Sequence, residues 1–199
     1  MMKLKCVLFI LSFLLLTFNA SFADAALIDL NDFFADPSVT VSADGSSATM
    51  YEDSSLSTVL LSNDPWFGDP GVFIPSIALS LTFDYSFTEG AGNDDEFYAY
   101  LLDPTTGSAL TDSGGNTLDL WLGSSQSGTV SWDLSGASFL GQTVGMEFQL
   151  YAFDVAADSF VSINNASVNV VPEPATVLLL GSGLLGTGLL RFVKRKMKK

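Results

Sequence analysis

Apolar and polar side chains alternate along the middle of the chain with the two-residue period of a β-strand. Residues 79–87 (Leu-Ser-Leu-Thr-Phe-Asp-Tyr-Ser-Phe) alternate without a break. A second strand has one apolar face made by Val144, Met146, Phe148, Leu150 and Ala152. Because successive side chains of a strand point to opposite sides, each segment offers one face for burial in a core.

Four further segments have strand character: 97–102, 117–122, 127–134 and 160–171. Segment 97–102 is apolar on both faces and is predicted to be a central strand of a sheet. Segments 117–122 and 127–134 are interpreted as a pair, and their tryptophans, Trp121 and Trp132, as core residues. Turn-forming sequences separate the strands at 43–45, 103–107, 112–116 and 123–125. With no helical period before residue 175, this pattern predicts an all-β domain, an antiparallel β-sandwich of jelly-roll type.

The N-terminal segment has the pattern of a secretory signal peptide. Lys3 and Lys5 precede the apolar run of residues 6–18, and Ala23 and Ala25 are the small residues that signal peptidase requires. A run of thirteen residues is shorter than the ~20 that a membrane-spanning helix needs. We therefore expect cleavage after Ala25, which removes residues 1–25 and the single cysteine, Cys6.

The C-terminal segment begins with the extended sequence Val-Pro-Glu-Pro at 171–174. Residues 175–190 follow without a charge, and the chain ends in a basic cluster that includes Arg191, Lys194, Arg195 and Lys196. This order predicts a single transmembrane helix in the inner membrane. By the positive-inside rule, the basic tail stays cytoplasmic and the domain before it lies outside.

These three parts, in this order at the C-terminus, resemble a PEP-CTERM sorting signal. The resemblance maps the defining triplet of the family to Pro172, Glu173 and Pro174. It implies processing by an exosortase of exopolysaccharide-producing Gram-negative bacteria. The protein would be anchored transiently in the inner membrane and then reach the cell surface or the extracellular matrix, as in a biofilm.

A second resemblance concerns the end of the predicted domain. Residues 160–168 are similar to the last strand of galactose-binding-like jelly rolls. Asn164 occupies the position of an aspartate in those domains, and the resemblance therefore implies a fold but no sugar binding.

The distribution of charge excludes several classes of function. All eight Lys and Arg residues lie before residue 6 or after residue 190, and the chain has no His. Of the 22 acidic residues only Asp24 and Glu173 lie outside 26–171, so this domain has 20 acids and no base. Nucleic-acid binding, which requires Lys and Arg, is excluded for it, as are His-dependent catalysis and His-ligated metals.

One acidic loop suggests a cation. Residues 89–96 combine glycines with Asp94, Asp95 and Glu96, hard oxygen ligands of the kind that Ca²⁺ prefers. A complete coordination shell around the Ca²⁺ ion would also need ligands from outside this loop, for which Asp84, Asp154 and Asp158 are candidates. The alternative interpretation is a solvated acidic loop without a metal ion.

Trp66 is the candidate sugar contact. It lies in a loop beside Asp64 and Asp69, where an aromatic face can stack on a sugar ring and oxygens can bind hydroxyl groups. The alternative is an aromatic side chain packed over the edge of the sandwich.

Three functions are compatible with the sequence. The first is a surface-sorted structural or matrix-associated protein without catalytic activity, which predicts that no concave groove is lined by aromatic side chains. The second is a carbohydrate-binding module for the cell's own exopolysaccharide, which requires Trp66 on such a groove. The third is a glycan-cleaving enzyme, which requires two facing carboxylates, one of them with a raised pKa.

The sorting interpretation predicts the effect of replacing Glu173. The wild-type surface protein should lack residues 194–199, whereas Glu173→Ala should retain residues 175–199, because the enzyme would lose the one carboxylate in an extended, proline-flanked segment. Intact-mass measurement of surface protein checks this. The control Asp32→Ala removes one acid elsewhere and should be processed normally. Tail residues persisting in the wild type would contradict the interpretation.

Overall fold

Two antiparallel sheets form the fold. The computed structural model describes residues 25–90, 94–153 and 158–171. The predicted signal peptide, apart from Ala25, and the segment 172–199 with its sorting triplet, helix and basic cluster lie outside the described residues. The compact unit runs from Ala25 to Val171.

Twelve strands make up the sheets. They are β1 (Ala26–Leu27), β2 (Phe34–Ala35), β3 (Val39–Val41), β4 (Ser47–Tyr51), β5 (Thr58–Asn63), β6 (Val72–Phe73), β7 (Ala78–Thr88), β8 (Glu96–Leu102), β9 (Asp119–Leu122), β10 (Gln126–Asp133), β11 (Thr143–Tyr151) and β12 (Phe160–Val170). Two short 3₁₀ helices cover Leu30–Asp32 and Pro65–Phe67.

The strands are distributed over two sheets that we call sheet I and sheet II. Sheet I has the order β10-β7-β12-β4-β3, with β1 added to β12. Sheet II has the order β2-β5-β11-β8-β9, with β6 added to β11. From β10 onward, each strand lies in the opposite sheet to the one before it. This confirms the predicted antiparallel β-sandwich, and such alternation is typical of jelly rolls.

Aromatic rings join the two sheets across the core. The Phe148 ring of sheet II meets the Phe83 ring of sheet I edge to face, with ring centroids 5.3 Å apart. Phe83 makes a similar contact with Trp132 at 5.4 Å, and Phe97 stacks on Phe148 at 6.4 Å. All four side chains are buried, and the prediction that Trp132 is a core residue is confirmed.

The longer predicted strands are confirmed, but the pairing of 117–122 with 127–134 is wrong. β9 pairs with β8 in sheet II, and β10 pairs with β7 in sheet I. The reason is that the apolar face of β10 packs beside Phe83, whereas the leucines of β9 extend the apolar face of sheet II.

Trp121 is a second correction. Its side chain is 59% exposed, on the outward side of β9. Leu120 and Leu122 occupy the inward side, because they alternate with it along the strand.

The sequence pattern missed the six strands before residue 78. Four of them have only two or three residues, too few to show an alternation. The predicted turn at 43–45 is nevertheless present between β3 and β4, where Gly45 adopts the left-handed conformation with φ of 68°. Among the described residues, no helix is long and apolar enough to cross a membrane.

Aspartate side chains stabilise the turns through hydrogen bonds, because residues 26–171 have no Lys, Arg or His with which to form salt bridges. In five turns the carboxylate accepts the backbone N–H two residues on, or a nearby hydroxyl; the residues are Asp44, Asp53, Asp103, Asp112 and Asp133. These hydrogen bonds favour the ionised form and lower the pKa of each, that of Asp44 to about 2.

The core contact of Phe148 predicts a large effect on stability. Phe148→Ala should lower the free energy of unfolding by about 3–5 kcal/mol, because it removes a buried ring and leaves a cavity between the sheets. Urea denaturation checks this. The control Phe73→Ala removes a phenylalanine that is 60% exposed and should change stability by about 0.5 kcal/mol or less. Equal losses in the two variants would contradict the assigned core.

Candidate functional site

The outward face of sheet II carries aromatic and polar side chains in register. Tyr100 of β8 lies opposite Glu147 of β11 and Asp119 of β9. One row further, Tyr98 lies opposite Gln149 and Trp121. The intervening residues of β8 and β11 are buried in the core, so alternation directs this set away from it.

Aromatic rings on this face form a continuous series. Tyr98 and Tyr100 stack with ring centroids 5.8 Å apart, and Tyr98 meets Tyr151 edge to face at 5.3 Å. Tyr151 in turn stacks on Phe153 at 6.1 Å. Together with Trp121, opposite Tyr98, the series crosses β11, β8 and β9. Trp121 and Phe153 are exposed and the three tyrosines are half-buried, so the series provides a partly exposed aromatic surface on an acidic domain.

A loop places Trp66 at one end of this surface. Asp64 caps the short helix Pro65–Phe67, and its Oδ1 accepts the backbone N–H of Trp66 at 3.0 Å. The indole lies over Gly107, close enough that a Cβ added to that glycine would be 3.5 Å from the ring. Gly107 also requires its left-handed φ of 65° to close the 103–107 turn. Trp66 is thereby held in place while 55% exposed.

The loop and the sheet enclose an open groove of about 410 Å³. It is lined by Asp64, Trp66, Phe67, Tyr100, Leu102, Thr106, Gly107, Ala109, Glu147, Gln149 and Tyr151. Its volume lies in the range of small-ligand sites, and aromatic side chains with a few polar groups are the usual lining of such sites.

Two buried carboxylates underlie the groove. Glu147 is 5% exposed and accepts hydrogen bonds from Ser62 Oγ, at 3.2 Å, and from Gln149 Nε2. Burial is the main cause of the raised pKa of Glu147. The hydrogen bonds from Gln149 and Ser62 lower this pKa in part, and the nearby negative charge of Asp64 raises it further. Asp64 is fully buried, and its Oδ2 has no hydrogen-bond partner in the described part of the chain.

The hydroxyls of Tyr98 and Tyr100 remain protonated. The hydrogen bond from the Tyr98 hydroxyl to Glu96 Oε2, at 2.6 Å, is the main cause that raises the pKa of Tyr98 to about 12. Burial is the main cause of the raised pKa of Tyr100. Tyr98 therefore keeps donating its hydroxyl hydrogen to Glu96 across the physiological pH range, and the Tyr100 hydroxyl keeps its hydrogen as a donor.

Trp66 has the position that the sugar-binding hypothesis requires, since it is exposed and lines an aromatic groove. The contact with a sugar stays a prediction. The sequence analysis missed Tyr100 and Tyr151, which line this groove with Trp66. It also missed the outward position of Tyr98 and Trp121, which lie opposite each other on the same face of sheet II. A signal was present, because in segments 97–102 and 117–122 tyrosine or tryptophan occupies positions where a solvent-facing strand side normally has polar residues.

The predicted calcium ligands engage separate partners. Asp95 is buried and accepts hydrogen bonds from Ser159 Oγ at 2.5 Å and Phe153 N at 2.9 Å, whereas Glu96 holds the Tyr98 hydroxyl. Asp94 is exposed. Across 25–90, 94–153 and 158–171, no group of three or more acidic side chains is placed to hold a metal ion.

Of the three other candidates for that shell, the structure describes Asp84 and Asp158. Asp84 accepts hydrogen bonds from Thr129 and Asn165 in sheet I. Asp158 lies beside Gly90, and Asp154 is outside the described residues. The calcium site therefore stays a prediction, without a metal-binding cluster to support it.

Comparison with known families identifies the C-terminal segment. The PEP-CTERM protein-sorting motif matches residues 170–196, which confirms the resemblance of this segment and contains Pro172, Glu173 and Pro174. The motif implies export, a membrane-anchored sorting signal and recognition by an exosortase. No curated protein matches the chain significantly.

Solved structures with similar sheets come from several classes of protein. One is SGBP-B from a xyloglucan utilisation locus of Bacteroides uniformis, with 15% identity and a TM-score of 0.35 over 73% of this chain and 49% of that one. The chain thus spans about half of that protein. Another is the family 11 carbohydrate-binding module of Lic26A-Cel5E from Clostridium thermocellum, with 11% identity and a TM-score of 0.37 over 77% and 98%.

A cyclase from Fischerella sp. TAU is similar to the same degree, with 13% identity and a TM-score of 0.35 over 75% of this chain and 98% of that one. At these identities and scores, the resemblance does not extend to function.

The buried carboxylate of Glu147 predicts a pH dependence of stability. The pKa of Glu147 in the folded state is raised above the reference value of 4.5. The contribution of Glu147 to stability is therefore fully present below pH 4.5 and is lost as the pH rises through its folded-state pKa. Glu147→Gln should therefore melt a few degrees higher than wild type at neutral pH, and the difference should vanish below about pH 4.5.

Thermal melts across this pH range provide the measurement. The control Asp94→Asn removes an exposed charge of the same sign, and any gain from it would reflect general repulsion in the domain. A Glu147→Gln variant that is less stable than wild type at neutral pH would show that the carboxylate is stabilising there.

Proposed function

We propose that this chain is an exported, exosortase-processed surface protein whose sandwich domain binds extracellular polysaccharide on the outward face of sheet II, without cleaving it. The observation that supports this best is the aromatic series Phe153–Tyr151–Tyr98–Tyr100, bordered by the exposed Trp66 and Trp121.

The chemistry of a sugar chain fits such a surface. The C–H groups of a pyranose ring make an apolar face that packs on an aromatic ring, while its hydroxyl groups need polar partners at the edge. Here the rings of Tyr98 and Trp121 can supply the stacking surface. The side chains of Gln149, Asp119 and the tyrosine hydroxyls supply donors and acceptors in the same rows.

The dimensions of the surface favour a polymer over a single sugar. Adjacent strands lie about 4.8 Å apart, and the aromatic series crosses three of them. The groove beside Trp66 is open rather than enclosed, which lets a chain pass through it. An exported protein that is held at the cell surface meets the cell's own polysaccharide there.

Binding is favoured over cleavage by the state of the two carboxylates. Glu147 has the raised pKa that a general acid needs. Its oxygens, however, accept hydrogen bonds from Ser62 and Gln149, and Asp64 Oδ1 holds the backbone of Trp66. Both side chains are almost completely buried, so they support the groove from below and do not present a free acid and base to a glycosidic bond.

The proposal predicts the effect of Trp121→Ala. In gels that contain extracellular polysaccharide purified from the producing cells, the full chain should be retarded, and Trp121→Ala should bind about tenfold more weakly because a stacking surface worth about 1.4 kcal/mol is lost. Affinity electrophoresis over a series of polysaccharide concentrations gives the ratio.

Tyr51→Ala is the matched control. Tyr51 is 51% exposed on β4, in the other sheet, and its loss should leave the retardation unchanged. Equal retardation of wild type and Trp121→Ala, or equal loss in both variants, would contradict a binding site on the outward face of sheet II.

A further inference from the structure

The groove is acidic and has no cationic side chain to balance it. Asp64 and Glu147 line it, and Asp119 and Glu96 occupy the same outward rows. The whole of residues 26–171 contains no Lys, Arg or His. No side chain of the domain can therefore supply a cation to this groove.

This charge pattern discriminates between classes of polysaccharide. A chain that carries carboxylate, sulfate or phosphate groups would bring like charges into a groove with buried carboxylates, and this repulsion opposes its binding. A neutral chain avoids that repulsion, but it leaves the buried charge uncompensated.

Asp64 is the particular residue that a cation would stabilise. Its side chain is fully buried, and Oδ2 has no hydrogen-bond partner among the described residues. A buried, unpaired carboxylate oxygen is costly. Because the surroundings are poorly solvated, a positive charge placed in the groove above it interacts more strongly than it would in water.

The aromatic lining determines which kind of cation fits. An ammonium group is attracted to the face of a tryptophan or tyrosine ring, and Trp66 and Tyr100 line the groove together with Glu147. Ca²⁺ needs six to eight oxygen ligands, whereas the described residues offer no cluster of three carboxylates. An ammonium needs only a few acceptors, since it has three donors at most.

We propose that the groove between Trp66 and sheet II selects a polysaccharide with free amino groups, such as one built from deacetylated amino sugars, and rejects uronate-rich chains. This inference rests on the proposed polysaccharide-binding function and specifies its ligand. The amino group would lie over the groove, with Glu147 and Asp64 beneath it and the rings of Trp66 and Tyr100 beside it.

Calorimetric titration of the full chain with four soluble hexamers tests this. The probes are hexamers of glucosamine, N-acetylglucosamine, glucose and galacturonic acid, at a pH where the amine is protonated. The glucosamine hexamer should bind about tenfold more tightly than the acetylated and glucose hexamers, with an affinity that falls as NaCl is added. The galacturonate hexamer should not bind. The basic tail is the same in every protein compared, so its contribution cancels between variants.

Variants separate the local effect from the overall charge. Asp64→Asn keeps an oxygen that can accept the backbone N–H of Trp66, and it should reduce the preference for the glucosamine hexamer to about twofold. Glu147→Gln provides a second, independent test if Asp64→Asn does not fold. Asp84→Asn removes one acid from sheet I and should leave the preference unchanged. If Asp84→Asn lowers it as much as Asp64→Asn does, the preference is general charge attraction and the inference is wrong.

The outcomes also distinguish this inference from the proposed function. If the neutral hexamers bind as tightly as glucosamine, or no hexamer binds, selection for amino groups is overturned. Polysaccharide binding is then judged separately, by whether Trp121→Ala loses retardation in gels of the cell's own polysaccharide.

Discussion

The register of β11 between β5 and β8 is the constraint on which both faces of sheet II depend. It directs Met146 and Phe148 into the core and Glu147 and Gln149 outward. A slip of one residue would exchange these two sets and place a carboxylate between the sheets. Because Phe148 also meets Phe83 of sheet I, the same register determines how the sheets pack and where the candidate site lies.

The absence of basic residues from the domain imposes a second constraint. Its carboxylates cannot form ion pairs, so backbone N–H groups and hydroxyls serve as their partners, as in the turn that Asp44 closes. These hydrogen bonds stabilise the loops locally without linking distant strands by charge. They leave the groove over sheet II with a negative potential that no side chain of the domain cancels, and the ligand selection proposed above is based on this potential.

The candidate site combines a rigid part and a loop. Tyr98 and Trp121 are held by the ladder between β8 and β9, and positions on strands are defined more sharply than positions on loops. Trp66 reaches the same groove from a short helix that Asp64 caps. Asp64 thus connects the two parts, since one oxygen fixes the loop and the other, which has no hydrogen-bond partner among the described residues, lies beneath the groove.

The sequence by itself determined the features that depend on local pattern. The strands β7, β11 and β12 were predictable because nine to eleven residues contain several alternations, and the sorting motif because its parts are contiguous. Only the tertiary structure decided that β9 and β10 lie in different sheets, since alternation does not specify a partner. It also decided that Trp121 faces outward: leucines fill one side of β9, and a tryptophan is apolar enough to suit either side. Finally, it brought Trp66 next to Glu147, because loop and strand meet only through the pairing of β5 with β11.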